Sequence, residues 1–397
     1  MTIGIISILT LHTLVAQAPK KDKGQFVDKK NEFWEKVQRE NRKYAADEKK
    51  EFIVDFSGMD LPKSKDEFVT YWHNDPVSQG NSGMCWSFST TSFYESEIFR
   101  RTGRKVKLSE LHTVYWEYVE KARRYVQTLG SSLFEQGSMA NHVPIIWEKY
   151  GVVPADVYTG LQKGEPFHNH TPLFAEIKSY LQHVKEHYIW DEETVLATIK
   201  AILNKHLGEP PAVIKIDGKE MTPMDYFQSF RIDFDDYVDV LSLMEQPYHQ
   251  FVLYPVPDNW WKSEAYYNVP LDEFMSALKS ALRRGYTICI GGDTSEAGYY
   301  SFEEVAVVPT FDIPSDYIDE NARQLRFSNG STTDDHGVHI VGFLEKDGQD
   351  WFLVKDSGAG AQNGPNEGYY FYHQDYIKLK MMDFTVCKEA LTGTVDF

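Results

Sequence analysis

The stretch "QGNSGMCWSFS", Gln79 to Ser89, sets Cys85 directly after a glycine-rich turn and six residues after a glutamine. A cysteine becomes a nucleophile when its thiolate is stabilised, and a helix N-terminus does this through unpaired backbone N–H groups and the helix dipole. Cys85 opens a helical run after Gly80-Asn81-Ser82-Gly83 and so occupies that place. Gln79 then acquires a use. Its side-chain amide on the preceding loop can reach the point where a substrate carbonyl turns into an oxyanion, with the Cys85 N–H as second donor. The plainer alternative is a buried thiol beside a tryptophan. Glutamine at minus six, the glycine turn, and Trp86 and Phe88 together favour catalysis.

A thiolate nucleophile needs a base, and the base needs an orienting group. In "TDDHGVHIVGFLEKDGQDWFLVKDSG", His336 leads a strand, Asp347-Gly348 is a hairpin turn, and the next strand ends at Asp356. A hairpin sets the ends of its two strands side by side, so Asp356 can accept the second imidazole proton of His336. Asp334 and Asp335 are the carboxylates that would otherwise have to serve. His339 is three residues along, on the opposite face, and reads as structural. His168 and His170 in "FHNHTP" are metal-like in type, but no carboxylate or cysteine stands at ligand spacing, so neither a metal nor a cofactor is expected.

The remaining cysteines, Cys289 in "GYTICIGG" and Cys387 in "MDFTVCKEA", lie in apolar strand-like runs and read as buried inert thiols. Three cysteines in a chain of 397 residues do not make a disulfide framework. A formal charge of −18 and a pI near 5.2 argue against a sequence-independent grip on nucleic acid, which needs clustered Lys and Arg. The hydrophobic content of 42% supplies a substantial core. Aromatic residues, 14% of the chain, would mostly be core, while the Tyr and Trp among them also suit a cleft that binds peptide.

The first residues read as an export signal over 1–18: an apolar run from Ile3 to Val15, then Ala16-Gln17-Ala18, then a basic segment, with cleavage after Ala18 or Ala16. The protein is accordingly expected to be periplasmic or extracellular, or cytoplasmic if that segment is not a signal. No other uninterrupted apolar run approaches the ~20 residues that span a bilayer.

Residues 19–51 form a charge-dense stretch with sparse apolar points, read as a mobile or peripheral helical arm. Residues 52–160 read as an α lobe carrying Cys85, with Ser109 as a helix cap and Gly130 as a stop. Residues 161–245 read as a helical insertion whose three helices open on Thr or Asp caps. Residues 246–397 read as one last helix followed by the strands of a β lobe carrying His336.

"QGNSGMCWSFS" and "DHGVHIVGF" resemble the cysteine and histidine signatures of papain-like peptidases. Ser82 stands where extracellular papain homologues carry a disulfide cysteine, a pattern similar to the bleomycin hydrolase and aminopeptidase C branch. "LSELHTVYWEYVEKARR", "VPIIWEKYGVVP", "AILNKHLGEPP", "TPMDYFQSF" and "VPLDEFMSALKSALRRGYTICIGGD" extend the likeness over roughly residues 70–390. The resemblance implies an α+β, papain-like two-lobe fold, with an α-helical lobe, an antiparallel β-barrel lobe and a helical insertion. It implies Gln79 as oxyanion donor, Cys85 as nucleophile and His336 as general base and acid, with peptides as substrates and a ring-like homo-oligomer, a hexamer. Two departures stand out. The family's orienting residue is Asn in an "NSWG" context, whereas this chain has Asp356 there and Gly358 in place of the shielding Trp. The branch also relies on an extended C-terminal arm in the cleft, and here "TGTVDF" follows Leu391.

These readings converge on a cysteine peptidase working through a thioester and trimming N-terminal residues. An open-cleft endopeptidase and a catalytically weak peptide-binding scaffold are the alternatives. An aminopeptidase needs a fixed anion for the substrate's terminal ammonium. The tail, with Asp396 and the α-carboxylate of Phe397, is expected to reach the cleft and supply it, or a neighbouring carboxylate does that work.

Overall fold

The structure, a computed structural model, describes residues 22–28, 30–41, 50–162, 164–395 and 397. The expected export signal and Asp396 lie outside these residues.

The chain enters through β1 (Gly24–Asp28), α1 (Glu32–Asn41) and β2 (Lys50–Val54). This region differs from the helical arm expected: β1 and β2 pair antiparallel, and only the segment between them is helical. Nor is it peripheral. Ile53 and Val54 are buried with Val341, Trp351 and Phe371, and Val37 is fully buried. Within the charged stretch Val37 is the buried anchor, whereas Phe26 is 75% exposed.

β3 (Val69–Thr70) leads to α2 (Cys85–Thr102), α3 (Glu110–Gln127) and α4 (His142–Tyr150). The helix α2 is central, and its buried residues include Ser87, Ser89, Thr90, Thr91, Ser92 and Ser96. Small side chains let it approach the sheet closely, and their hydroxyls turn inward to backbone carbonyls, Ser87 Oγ to Glu110 O at 3.0 Å for one. Gly103, at φ 71°, ends it by donating to Phe99 O at 2.7 Å. Ser109 caps α3 as its sequence suggests, accepting from His112 N at 3.0 Å.

The next segment holds α5 (Thr171–Glu186), α6 (Glu192–Leu207), a small hairpin of β4 (Ile214–Ile216) and β5 (Lys219–Met221), and α7 (Pro223–Gln228). Asp191 and Thr222 cap α6 and α7 as expected. At α5 the cap residue is His170, because the Thr171 N–H is taken by Asn169 Oδ1 at 3.1 Å.

The remainder carries β6 (Tyr237–Leu241), β7 (Gln250–Val252), β8 (Tyr266–Asn268), α8 (Leu271–Arg283), β9 (Ile288–Gly292), β10 (Tyr299–Tyr300), β11 (Val305–Ala306), α9 (Glu320–Ser328), β12 (His336–Lys346), β13 (Gln349–Lys355), β14 (Tyr369–His373), α10 (Gln374–Lys380) and β15 (Met381–Cys387). Among the described residues one sheet of eleven strands runs β10-β11-β14-β13-β12-β9-β15-β6-β8-β7, with β3 also on β12. It is largely antiparallel, with parallel pairs at β11/β14 and β6/β8. Because β6 already belongs to this sheet, the sheet begins before residue 245, where the helical insertion was expected to end. The helices α9 and α10, nine and seven residues long, are too short to give a periodic signal and went unforeseen.

The β12/β13 hairpin turns at Asp347 and Gly348, φ 52° and 73°, the left-handed pair that matches strand twist. On its other side β12 pairs with β9, His336 facing Gly292, and β9 pairs with β15, Met381 facing Gly292. The helix α2 packs across β12 and β9. Gly337 permits this contact: a Cβ there would lie 3.0 Å from Ser89 Oγ and 3.6 Å from Trp86 Cα.

Candidate active site

Cys85 is the first residue of α2 and is half-exposed. The turn before it depends on Gly80, at φ 63°, where a Cβ would meet the His168 carbonyl oxygen at 2.5 Å. That carbonyl accepts the Asn81 N–H at 2.8 Å, and His170 N donates back to Asn81 O at 3.1 Å. His168 and His170 thus brace the nucleophile turn. Burial pushes both imidazoles down, to about 4 and about 3, so they are neutral.

His336 comes to Cys85 because Gly337 lets β12 lie against α2. The imidazole is hydrogen-bonded to the Cys85 thiol on one side. On the other, Nε2 lies 2.8 Å from Asp356 Oδ1, which leaves Nδ1 for the sulfur. Desolvation works against the imidazolium, but the Asp356 charge, its hydrogen bond and Cys85 outweigh it and hold the His336 pKa well above its ordinary value.

Asp356 is buried and fully occupied. Oδ1 also accepts the Gly358 N–H at 2.7 Å, and Oδ2 accepts the Tyr299 hydroxyl at 2.9 Å. Burial alone would raise its pKa; the charge of His336 and these three donors pull it below the usual carboxylate range. Gly358 leaves room above the pair, since a Cβ there would sit 3.2 Å from Asp356 Oδ1 and 3.6 Å from His336 Cε1.

Gln79 is buried and held at both ends of its amide. Nε2 donates to Ser82 O at 2.6 Å, and Oε1 accepts from Ser357 Oγ at 2.7 Å. The Gln79 N–H also donates to Ser357 O at 2.8 Å. Ser357 therefore ties the loop before α2 to the loop after β13. Sequence reasoning gave Ser357 and Tyr299 no role. Ser357 adjoins Asp356 and could have been suspected; Tyr299 stands on a two-residue strand with no local signal.

His339 points away from this pair, as its spacing predicts. Its Nδ1 is 2.8 Å from Ser92 Oγ, and that hydroxyl also accepts from Lys355 Nζ at 2.9 Å. Burial first, then the nearby Lys355 charge, push His339 well below its ordinary value. Cys289 is buried and its thiol is pushed up to about 12 by burial, so it is inert as expected.

The described part of the tail does not follow the first of the two expectations for it. Met381 opens β15 level with His336, so by Cys387 the chain is about 20 Å away along the strand. It then curls: Leu391 O accepts from both Thr394 N and Val395 N, at 2.9 and 3.1 Å. Val395 is buried, and the Phe397 ring packs on Tyr267 of β8 at 4.9 Å. These apolar contacts hold the described part of the tail away from the cleft end of the sheet.

A cysteine at a helix start, an imidazole on its thiol and a buried carboxylate behind the imidazole define a cysteine-type peptidase centre on an α+β, papain-like two-lobe scaffold. The chain belongs to the Peptidase C1-like family, whose model it matches over residues 26–396. It is 23% identical over 385 residues to aminopeptidase E of Lactobacillus helveticus, across 82% of this chain and 84% of that one. With aminopeptidase C of Lactococcus lactis subsp. lactis it shares 21% over 369 residues, across 82% and 84%. The crystal structure of PepW from Lactobacillus rhamnosis superposes with a TM-score of 0.68 at 17% identity, covering 84% of each chain.

Proposed function

We propose that the protein is a cysteine aminopeptidase that removes N-terminal residues from peptides. The observation that carries the chemistry is the continuous path from the Cys85 thiol through the His336 imidazole to Asp356. The kinship with aminopeptidases C and E supports the exopeptidase restriction.

Cys85 gives its proton to His336 Nδ1, where the Asp356-stabilised imidazolium holds it, and Sγ attacks the scissile carbonyl carbon. The oxyanion that forms takes hydrogen bonds from the Cys85 N–H and from the second Nε2 hydrogen of Gln79, the first being fixed on Ser82 O. Collapse of the tetrahedral intermediate breaks the C–N bond, and His336 protonates the departing amine. The thioester is then hydrolysed by a water whose proton His336 accepts, and the proton returns to sulfur as the acid leaves. Throughout, Asp356 holds the Nε2 proton and so fixes the tautomer.

Assays of aminoacyl and N-acetyl-aminoacyl aminomethylcoumarins test the reading. Cleavage of the free-amine series, abolished by iodoacetamide at Cys85, is expected. Cleavage of N-blocked peptides alone would make it an endopeptidase. Among the described residues no helix is long and apolar enough to cross a membrane. Export by the N-terminal segment, absence of nucleic-acid binding and assembly into a homo-oligomer are further parts of the proposal. They are checked by N-terminal sequencing of the secreted protein, by gel shift and by light scattering.

A further inference from the structure

The described part of the tail packs on β8, away from Cys85, whereas carboxylates of the sheet lie beside that cysteine. A cavity of 30 Å³ opens beside Cys85 and His336, and its wall includes Asp258, Asp334 and Asp383. Asp334 and Asp383 converge from different parts of the chain: a Cβ built on Gly291 would lie 2.7 Å from Asp383 Oδ1 and 3.2 Å from Asp334 Oδ1. The register explains the meeting, because Gly291 faces Asp383 on one side and Gly337 on the other.

Independently of the clustering, Asp383 is 97% buried and its Oδ1 has no hydrogen-bond partner. The cations nearest these carboxylates are committed to backbone. Arg323 donates to Ser242 O, Lys378 O and Met382 O, at 3.0, 2.9 and 3.1 Å. Lys121 Nζ donates to Glu135 O and Gly137 O. Burial raises the pKa values of both Asp334 and Asp383, with repulsion from Asp383 added at Asp334 and from Asp239 at Asp383, where Arg323 offsets only part, a cost that a bound cation would relieve. Among the described residues no three His, Cys, Asp or Glu side chains are grouped to hold a metal ion.

We propose that Asp334 and Asp383, with Asp258 at the rim, form the subsite that binds the α-ammonium of the substrate's N-terminal residue. This rests on the aminopeptidase reading and names its specificity determinant. The distances suit the task. An α-nitrogen is about 2.5 Å from the carbonyl carbon of its own residue, so the anion must share a cavity with the nucleophile. The space admits an ammonium, the size of a water.

The test uses Asp334→Asn and Asp383→Asn in the full chain, with two readouts. The first is the ratio of kcat/KM for leucyl-aminomethylcoumarin to that for its N-acetyl form. The second is protection of Cys85 from iodoacetamide by L-leucinamide, against N-acetyl-L-leucinamide as control, with the labelled cysteine located by peptide mass. The expected result is that leucinamide alone protects the wild type, and that each variant loses the protection and about 30-fold of the ratio. Asp334 is only half-buried, so its variant carries the test should Asp383→Asn fail to fold. A ratio within about threefold of wild type, with leucinamide still protecting Cys85 in the variants, overturns the subsite while leaving the aminopeptidase reading standing. A loss confined to lysyl or arginyl substrates would make the pocket a side-chain site and also overturn it. A wild type that cleaves only N-acetylated substrates sinks the aminopeptidase reading, and this subsite with it.

Discussion

Two sets of carboxylates flank His336, and they face opposite fates. Asp356 is as buried as Asp383, yet its pKa is held low and that of Asp383 is raised. The difference lies in the donors. Asp356 accepts from His336, Gly358 and Tyr299, whereas Asp383 keeps an oxygen with no partner. A buried carboxylate is a permanent anion when hydrogen bonds to its charged form replace the water it lost, and holds a proton unless a cation takes its place when they do not. The same end of the sheet thereby carries an orienter that stays charged through the reaction and a subsite that waits for charge from the substrate.

The largest effect expected is at the group both sets serve. Cys85→Ala removes the nucleophile and leaves a residue compatible with the helix start, so turnover should fall on the order of 10⁴-fold or more with little change in melting temperature. His336→Ala should fall comparably, and the double variant little further, since the two act as one unit. A double variant far worse than either single one would show that they are not partners.

Next comes the orienter. Asp356→Ala strands the Gly358 N–H and Tyr299 hydroxyl and frees the imidazole, and should cost about 10³-fold in kcat. Asp356→Asn keeps an oxygen for His336 Nε2–H and should stay within about tenfold of wild type. Without the neighbouring negative charge the imidazolium is less stable, so the alkaline limb of the pH–rate profile should move to lower pH. An unmoved limb would detach Asp356 from His336 and erase the contrast between the two sides.

How much of this was legible in the sequence follows from how local each part is. Cys85 at a helix start and Asp356 opposite His336 are set by a glycine turn and a two-residue hairpin, both readable within a few residues. Asp334 was noted only as a substitute orienter. Its meeting with Asp383 is created by the β9/β15 register, which no local pattern encodes. The burial of α2 on nearly every side is not legible locally, because Ser and Thr are buried along with Trp86, Phe88, Phe93, Tyr94 and Ile98. For the tail, length limits reach but says nothing of direction, which the exit of β15 and the Phe397–Tyr267 contact set for its described residues.

A smaller effect should appear in stability against pH. Folding holds Asp383 protonated beyond the ordinary range, so its contribution is fully present below a pKa of about 4 and is lost as pH climbs through the raised value. The charges that set this are Asp239 on β6 and Arg323 on α9, with Asp334 beside them. Asp239 is itself lifted to about 6 by burial. Between about pH 5 and pH 8 the wild type should lose more melting temperature than Asp383→Asn. Parallel curves would mean that Asp383 does not titrate in this window, and the site would not be short of a cation.

The smallest and sharpest test leaves both carboxylates in place and removes a donor from the satisfied one. Tyr299→Phe deletes the hydroxyl on Asp356 Oδ2 and keeps the ring that stacks on Tyr370 at 4.6 Å. One hydrogen bond to a charged group is worth about 1.5–3 kcal/mol, so the Asp356 pKa should rise toward the ordinary range. His336 keeps its own bond to Oδ1, and turnover at neutral pH should drop only about threefold. The stability difference has a definite sign. A carboxylate held low contributes stability above its unfolded pKa, near 4, and loses it as pH falls through the folded value. Wild type should therefore exceed Tyr299→Phe in melting temperature at neutral pH, and the gap should close in acid. A gap that persists unchanged at about pH 3 would mean the hydroxyl acts through packing alone, and that donors do not decide which carboxylate stays charged.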